Sequence, residues 1–251
     1  MVKGLELFQE HFKDHSDSFV IIGGTACSVL LEDAALSFRA TKDIDIILVV
    51  EILKPDFGKV FWDFVNKGGY QNLQQSTDKK IFYRFSHPAD PGYPAMLELF
   101  STKPEGFDLT QGSRLTPIPF DDEVSSLSAI LLDGDYYAFV QAGRQIVQGL
   151  PVLGPGYLIP LKAKAFLDLS LKRDKGEAID SKNIRKHQND VFRLFPLLTE
   201  QTRIGLSASI TADMQSFLGG IQAEKVDLKS LGIINRDLAE VLANLRTIYG
   251  L

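Results

Sequence analysis

The chain has 251 residues, 45% of them apolar and 24% charged, with a formal net charge of −5; this is enough for one large or two modest globular domains, and the negative balance argues against a protein that coats nucleic acid through bulk charge. No run approaches the roughly 18–20 apolar residues of a membrane span, and the N-terminus, Met1-Val-Lys-Gly-Leu-Glu, carries charge where a signal peptide has its apolar stretch. The single cysteine, Cys27, excludes an intrachain disulfide framework and a cysteine-rich zinc site, so a reducing cytoplasm is the expected location.

In chain order, Leu5, Phe8 and Phe12 stand near helical spacing and predict an amphipathic helix over 4–15. A short apolar strand at 19–22 runs into Gly23-Gly24, expected to turn the chain into a helix over 25–32. A second strand follows at 44–50. Pro55 opens a helix through about 66, stopped by Gly68-Gly69. Strands are expected at 80–86 and 95–100, separated by the turn-rich His87-Pro-Ala-Asp-Pro-Gly92. Residues 101–124 read as a Pro-, Gly- and Asp-rich connector. Segments 126–132 and 136–141 flank Asp133-Gly134-Asp135 and predict a hairpin, with a further short strand at 144–148. Beyond Pro151 and Pro155 the pattern turns helical, over 159–173, 181–195, 199–204, 209–218 and 235–249. The expected layout is an α+β domain over 1–155 with a mixed sheet and flanking helices, then a helical C-terminal domain over 156–251.

The chemistry concentrates in three places. In Arg39-Ala-Thr-Lys-Asp-Ile-Asp-Ile46, strand alternation puts Asp43 and Asp45 on one face and Ile44, Ile46 and Leu48 on the other. Adjacent carboxylates repel, so the pair suggests a cation between them, best matched by a hard divalent ion with oxygen ligands such as Mg²⁺. In Ala95-Met-Leu-Glu-Leu-Phe100, Glu98 interrupts an apolar strand, where an acid is expensive to bury unless paired or metal-bound. The Gly23-Gly24-Thr25 turn lets backbone approach a ligand closely and offers a helix N-terminus to phosphate. The four histidines are too scattered for a zinc motif, and neither a P-loop nor a Rossmann glycine pattern occurs.

Together these residues resemble the nucleotidyltransferase superfamily with the polymerase-β-like fold, whose signature is a Gly-Gly or Gly-Ser turn, a hydroxyl residue and helix, Asp-x-Asp, and a third acid on a later strand. The match covers about residues 19–100. The Thr41-x-Asp-x-Asp form, with Arg39 just upstream, is especially similar to AbiEii-type toxin nucleotidyltransferases. Seventeen residues separate Thr25 from Asp43, longer than in compact members, and Glu98 stands where Asp is commoner. The resemblance implies transfer of a nucleoside monophosphate from an NTP, with two Mg²⁺ ions on Asp43, Asp45 and Glu98, and the nucleotide at Gly23, Gly24, Thr25, Arg39 and Lys42. In the C-terminal half, Leu158-Ile-Pro-Leu-Lys-Ala-Lys-Ala165 and Arg185-Lys-His-Gln-Asn-Asp190 resemble later family motifs, which implies catalytic roles for Lys162, with Lys164 the second match to the family lysine, and for Asp190. Residues 160–195 hold nine Lys or Arg against five acids, a local excess that would suit an RNA acceptor such as tRNA. An antitoxin protein is the expected partner of such a toxin, and no membrane is expected. The competing expectation is a catalytically idle nucleotide-binding or toxin–antitoxin interaction module on the same fold.

Overall fold

In a computed structural model of the chain, the described residues are 2–53, 55–71, 83–103, 115–118, 127–222 and 226–251. The chain divides into two compact units, Met1–Leu153 and Gly154–Leu251, a boundary two residues before the join read from the sequence.

The first unit runs α1 (Leu5–His11), β1 (Phe19–Ile22), α2 (Gly23–Asp33), β2 (Asp43–Leu48), α3 (Pro55–Gly68), β3 (Arg84–Ser86), β4 (Met96–Ser101), β5 (Leu115–Ile118), β6 (Leu127–Leu131), α4 (Gly134–Ala142), β7 (Arg144–Val147) and β8 (Leu150–Leu153). Among the described residues the strands form one mixed eight-stranded sheet in the order β5-β6-β4-β2-β1-β8-β7, with β3 also pairing β4. β2 lies between antiparallel β1 and parallel β4. It therefore sits centrally, and only residues with a reason to be polar can stand on it.

One face of this sheet is an aromatic layer. On α3, Phe57, Phe61, Phe64 and Val65 recur at helical spacing and are all buried. They meet Phe8 of α1 and Phe12 just after it, themselves 4.5 Å apart between ring centroids, and Phe85 of β3, 5.4 Å from Phe61. Each fully buried ring of this kind contributes roughly 1.5–3 kcal/mol. Phe85 is the register partner of Leu97, which is the partner of Ile44, so these three define the face that α3 covers. The alternate residues of β2 and β4 face the other way.

Several expectations are corrected here. Asp133-Gly134-Asp135 opens a helix, not a hairpin: the Asp133 carboxylate accepts the Asp135 N–H at 2.9 Å as an N-cap. The buried residues that follow, Tyr136, Tyr137, Phe139 and Val140, recur with helical spacing. The stretch read as connector contains β5, and Leu150–Leu153, to which no element was assigned from the sequence, is a buried strand between β1 and β7. Residues 80–82 of the strand expected at 80–86 lie outside the described residues. α2 starts at Gly23, so both glycines belong to the helix.

The second unit is helical: α5 (Pro155–Asp174), α6 (Ser181–Leu194), α7 (Ala208–Ile221) and α8 (Leu238–Tyr249). The helix expected at 199–204 is absent; a 3-10 turn at Phe195–Leu197 is followed by a single turn closed by the Thr202 N–H on the Thr199 carbonyl at 3.1 Å. α8 begins with a reciprocal capping box between Asp237 and Glu240. Its last tyrosine, Tyr249, donates its hydroxyl to the Gly156 carbonyl of α5 at 2.6 Å. Among the described residues no helix is long and apolar enough to cross a membrane.

Candidate active site

The polar face of the sheet begins with its register. Asp45 pairs with Ile22, the last residue of β1, and with Glu98 of β4. Asp43 lies two residues earlier on the same face, beyond the end of β1 and beside the start of α2. Exposure follows this alternation: Asp43, Asp45 and Glu98 are half-buried, whereas Ile44, Ile46, Leu97 and Leu99 are fully buried. The three acids read from the sequence are thus gathered on one face of two neighbouring strands, opposite the aromatic layer.

The glycine turn closes one side of this group. Gly23 adopts φ 68°, a left-handed conformation that an L side chain resists, and a Cβ there would fall on the Asp45 carboxylate. Gly24 is buried, and a Cβ on it would lie 2.6 Å from the Thr41 hydroxyl and 3.5 Å from the Arg39 guanidinium. The segment before β2 therefore folds back onto the start of α2. Arg39 is half-buried and sits 4.8 Å from the Phe38 ring centroid. Lys42 has an exposed side chain, while its carbonyl accepts the Ala95 N–H at 3.0 Å. α2 has no side-chain N-cap and no acid in its first turn, and its positive dipole end lies beside the Asp45 carboxylate.

Thr25 departs from expectation. It is fully buried, and its hydroxyl donates to the Asp43 carbonyl at 2.6 Å. That bond ties α2 to the first residue of β2 and fixes where Asp43 stands, in place of the phosphate contact expected of it. Cys27, one turn into the same helix, is buried.

A residue that sequence reasoning passed over completes the group. Arg84 of β3 is the register partner of Glu98, and its Nε donates to Glu98 Oε1. The only local signal was its polarity between Tyr83 and Phe85, the same interruption that marks Glu98 between two leucines. Three carboxylates on one face match a hard divalent cation in donor chemistry. As placed, no three His, Cys, Asp or Glu side chains among the described residues converge closely enough to hold a metal ion; the Glu98 carboxylate is engaged by Arg84.

Lys162 and Asp190 belong to the second unit, on α5 and α6. Both are buried, and they form an ion pair at 3.2 Å, with Arg193 a second cation 3.4 Å from the other Asp190 oxygen. Such a pair joins the two helices.

No protein-family model matches the chain, and no curated protein matches it. Six solved chains do. The chain is similar to the Megavirus polyadenylate synthase at 12% identity and a TM-score of 0.37, a match covering 88% of this chain and 36% of that one. The chain thus spans about a third of the viral enzyme's length. It is also similar to the antibiotic-resistance factor ANT(2'')-Ia at 12% identity and a TM-score of 0.34, covering 87% of this chain and 94% of that one. TM-scores this low fix neither fold nor activity.

Proposed function

We propose that the chain is a nucleotidyltransferase that moves a nucleoside monophosphate from an NTP to an acceptor hydroxyl. The observation that carries this reading is the grouping of Asp43, Asp45 and Glu98 on one sheet face, in register, beside an uncapped helix start. The acceptor oxygen bonds to the α-phosphorus, the bond to the β-phosphate bridge breaks, pyrophosphate leaves, and the hydroxyl proton passes to a site carboxylate. Mg²⁺ held by Asp43, Asp45 and Glu98 would stabilise the entering and leaving oxygens. The chain's own part is positional: N–H groups at the start of α2 take the phosphates, with Arg39 and Lys42 adding positive charge. Thr25 fixes the Asp43 backbone.

RNA is the acceptor this reading favours. α5, α6 and the link between them carry exposed Arg173, Lys175, Lys182 and Arg185, interleaved with exposed Asp174, Glu177 and Asp180, in the 160–195 stretch where Lys and Arg outnumber acids nine to five. The likeness of the Thr41-x-Asp-x-Asp segment to AbiEii-type toxins supports the more specific form, an RNA-modifying toxin with an antitoxin partner. A second reading, an idle nucleotide-binding module, draws on the Arg84–Glu98 pair, which gives one acid of the set a protein partner.

The test is transfer of label from each α-³²P NTP to total RNA with Mg²⁺, in wild type and Asp43→Asn. Label on RNA with pyrophosphate release is expected, falling at least about 100-fold in the variant, since a lost metal ligand removes several kcal/mol of charge stabilisation. Labelling should also weaken as salt rises. NTP binding with no transfer to any acceptor would establish the idle module instead, and salt-independent labelling of a small molecule would reject RNA.

A further inference from the structure

We infer that Arg84 is an internal counter-ion for the third carboxylate, so that a divalent cation entering the site competes with its guanidinium for Glu98. The inference rests on the proposed metal-binding role of Asp43, Asp45 and Glu98 and adds a positioning residue to it.

The Glu98 side chain is only 12% exposed, and it faces Asp45 across the β2–β4 pairing. With Asp43 two residues along the same face, Glu98 and Asp45 are adjacent carboxylates in a partly desolvated place, where repulsion is less screened than in water. One positive charge on the neighbouring strand relieves this, and Arg84 is at the register position that supplies it. Nε binds one carboxylate oxygen, and the side chain remains 48% exposed, with its guanidinium 5.9 Å from the Tyr83 ring centroid. The pairing is thus made by a half-exposed side chain, so on release the guanidinium can be taken up by solvent, while the largely buried Glu98 carboxylate is left to an incoming cation. The lack of any three-ligand cluster among the described residues fits a site in which one acid is already engaged.

The sign of the effect separates this role from a structural one. A divalent cation approaching Glu98 meets a like charge at Arg84, so removing that charge should tighten metal binding. If Arg84 merely held Glu98 in its place, removing it would loosen the site. A hydrogen bond to a charged group of this kind corresponds to about a tenfold change in affinity.

The experiment titrates Mn²⁺ into the full chain, reading free Mn²⁺ by electron paramagnetic resonance, for wild type, Arg84→Met, Arg84→Gln and Asp43→Asn. Thermal unfolding of each variant checks that it is folded. Either Arg84 variant should bind Mn²⁺ about tenfold more tightly, and Asp43→Asn should abolish binding. The glutamine variant keeps a hydrogen-bond donor without the charge, so it reports the counter-ion role even where the methionine variant fails to fold. Equal or weaker binding in folded Arg84 variants, with binding still lost in Asp43→Asn, overturns the counter-ion role and leaves the metal site standing. Mn²⁺ binding that is absent from wild type and both Arg84 variants, or indifferent to Asp43→Asn, overturns the metal-site reading and this inference with it.

Discussion

A Cβ on Gly23 would meet the Asp45 carboxylate, whereas one on Gly24 would meet the Thr41 hydroxyl at 2.6 Å. These neighbours give the two glycines different reasons to be glycine. At Gly23 the left-handed φ alone costs an alanine roughly 1–2 kcal/mol, and the added methyl must push Asp45 off its position. Gly23→Ala is therefore expected to lose stability in urea and to lose Mn²⁺ affinity together. Gly24→Ala should lose stability without moving Asp45, and Thr41→Ala should restore part of it by removing the hydroxyl in the way. If the second substitution restores nothing, the packing of the 39–41 segment on α2 is not what excludes a side chain there. The sequence made the carboxylate face legible because strand alternation is a local property. It could not reveal that Gly24 faces its own chain or that Thr25 bonds the Asp43 carbonyl, since both contacts join residues more than a dozen positions apart.

At the scale of elements, β1, β2, β4, α3 and the main C-terminal helices were readable from periodicity and caps, and α4 was not. Asp-Gly serves equally as a hairpin turn and as a helix start; tertiary packing decides, here by burying Tyr137 with its hydroxyl donating to Glu51 at 2.7 Å and accepting the Val50 N–H at 3.1 Å. The α5–α6 pair poses a similar question about Lys162 and Asp190. The sequence resemblance raises the expectation of catalysis, and their burial points to a structural bond whose loss leaves a charge stranded. Removing one partner of a buried ion pair costs about 3–5 kcal/mol, while replacing both with apolar residues is close to neutral. Asp190→Ala should therefore destabilise the second unit by that amount. Lys162→Met with Asp190→Leu should recover most of it, although Arg193 then loses its partner. Urea denaturation followed by circular dichroism checks both. Near-wild-type stability in Asp190→Ala would show that the pair holds nothing together, and the transfer assay on the double variant then reads catalysis apart from folding.

Across the whole molecule, the division into a sheet unit and a helical unit was legible as a shift in periodicity near Pro151 and Pro155, but the buried hydroxyls that set its alkaline limit were not, because nothing in the sequence tells a core tyrosine from a surface one. Burial pushes the Tyr70 and Tyr137 phenols of the first unit well above their usual range, with Tyr93 adding to the first and hydrogen bonding to Glu51 adding to the second. Burial does the same to Tyr249 in the second unit. Below about pH 10 both folded and unfolded chains keep these protons, and the tyrosines add no pH dependence. Above it the unfolded chain releases them while the folded chain holds on. The unfolded state then binds fewer protons, and stability falls as pH rises toward the folded pKa values. Each such tyrosine contributes a slope of about 1.4 kcal/mol per pH unit, so two in the first unit give about 2.7. The sole tryptophan, Trp62, lies on α3 and reports this unit alone. Its fluorescence in urea titrations should show almost none of that slope near pH 9, about half of it near pH 10 and nearly all of it by about pH 11, above any background from lysines common to all variants. Tyr137→Phe keeps the ring and removes the titrating group. It should halve the tyrosine part of the slope, at a loss of roughly 1 kcal/mol at pH 8 for the missing hydrogen bond. An unchanged slope in Tyr137→Phe would mean that this hydroxyl titrates alike in both states and that its burial does not limit the fold in alkali.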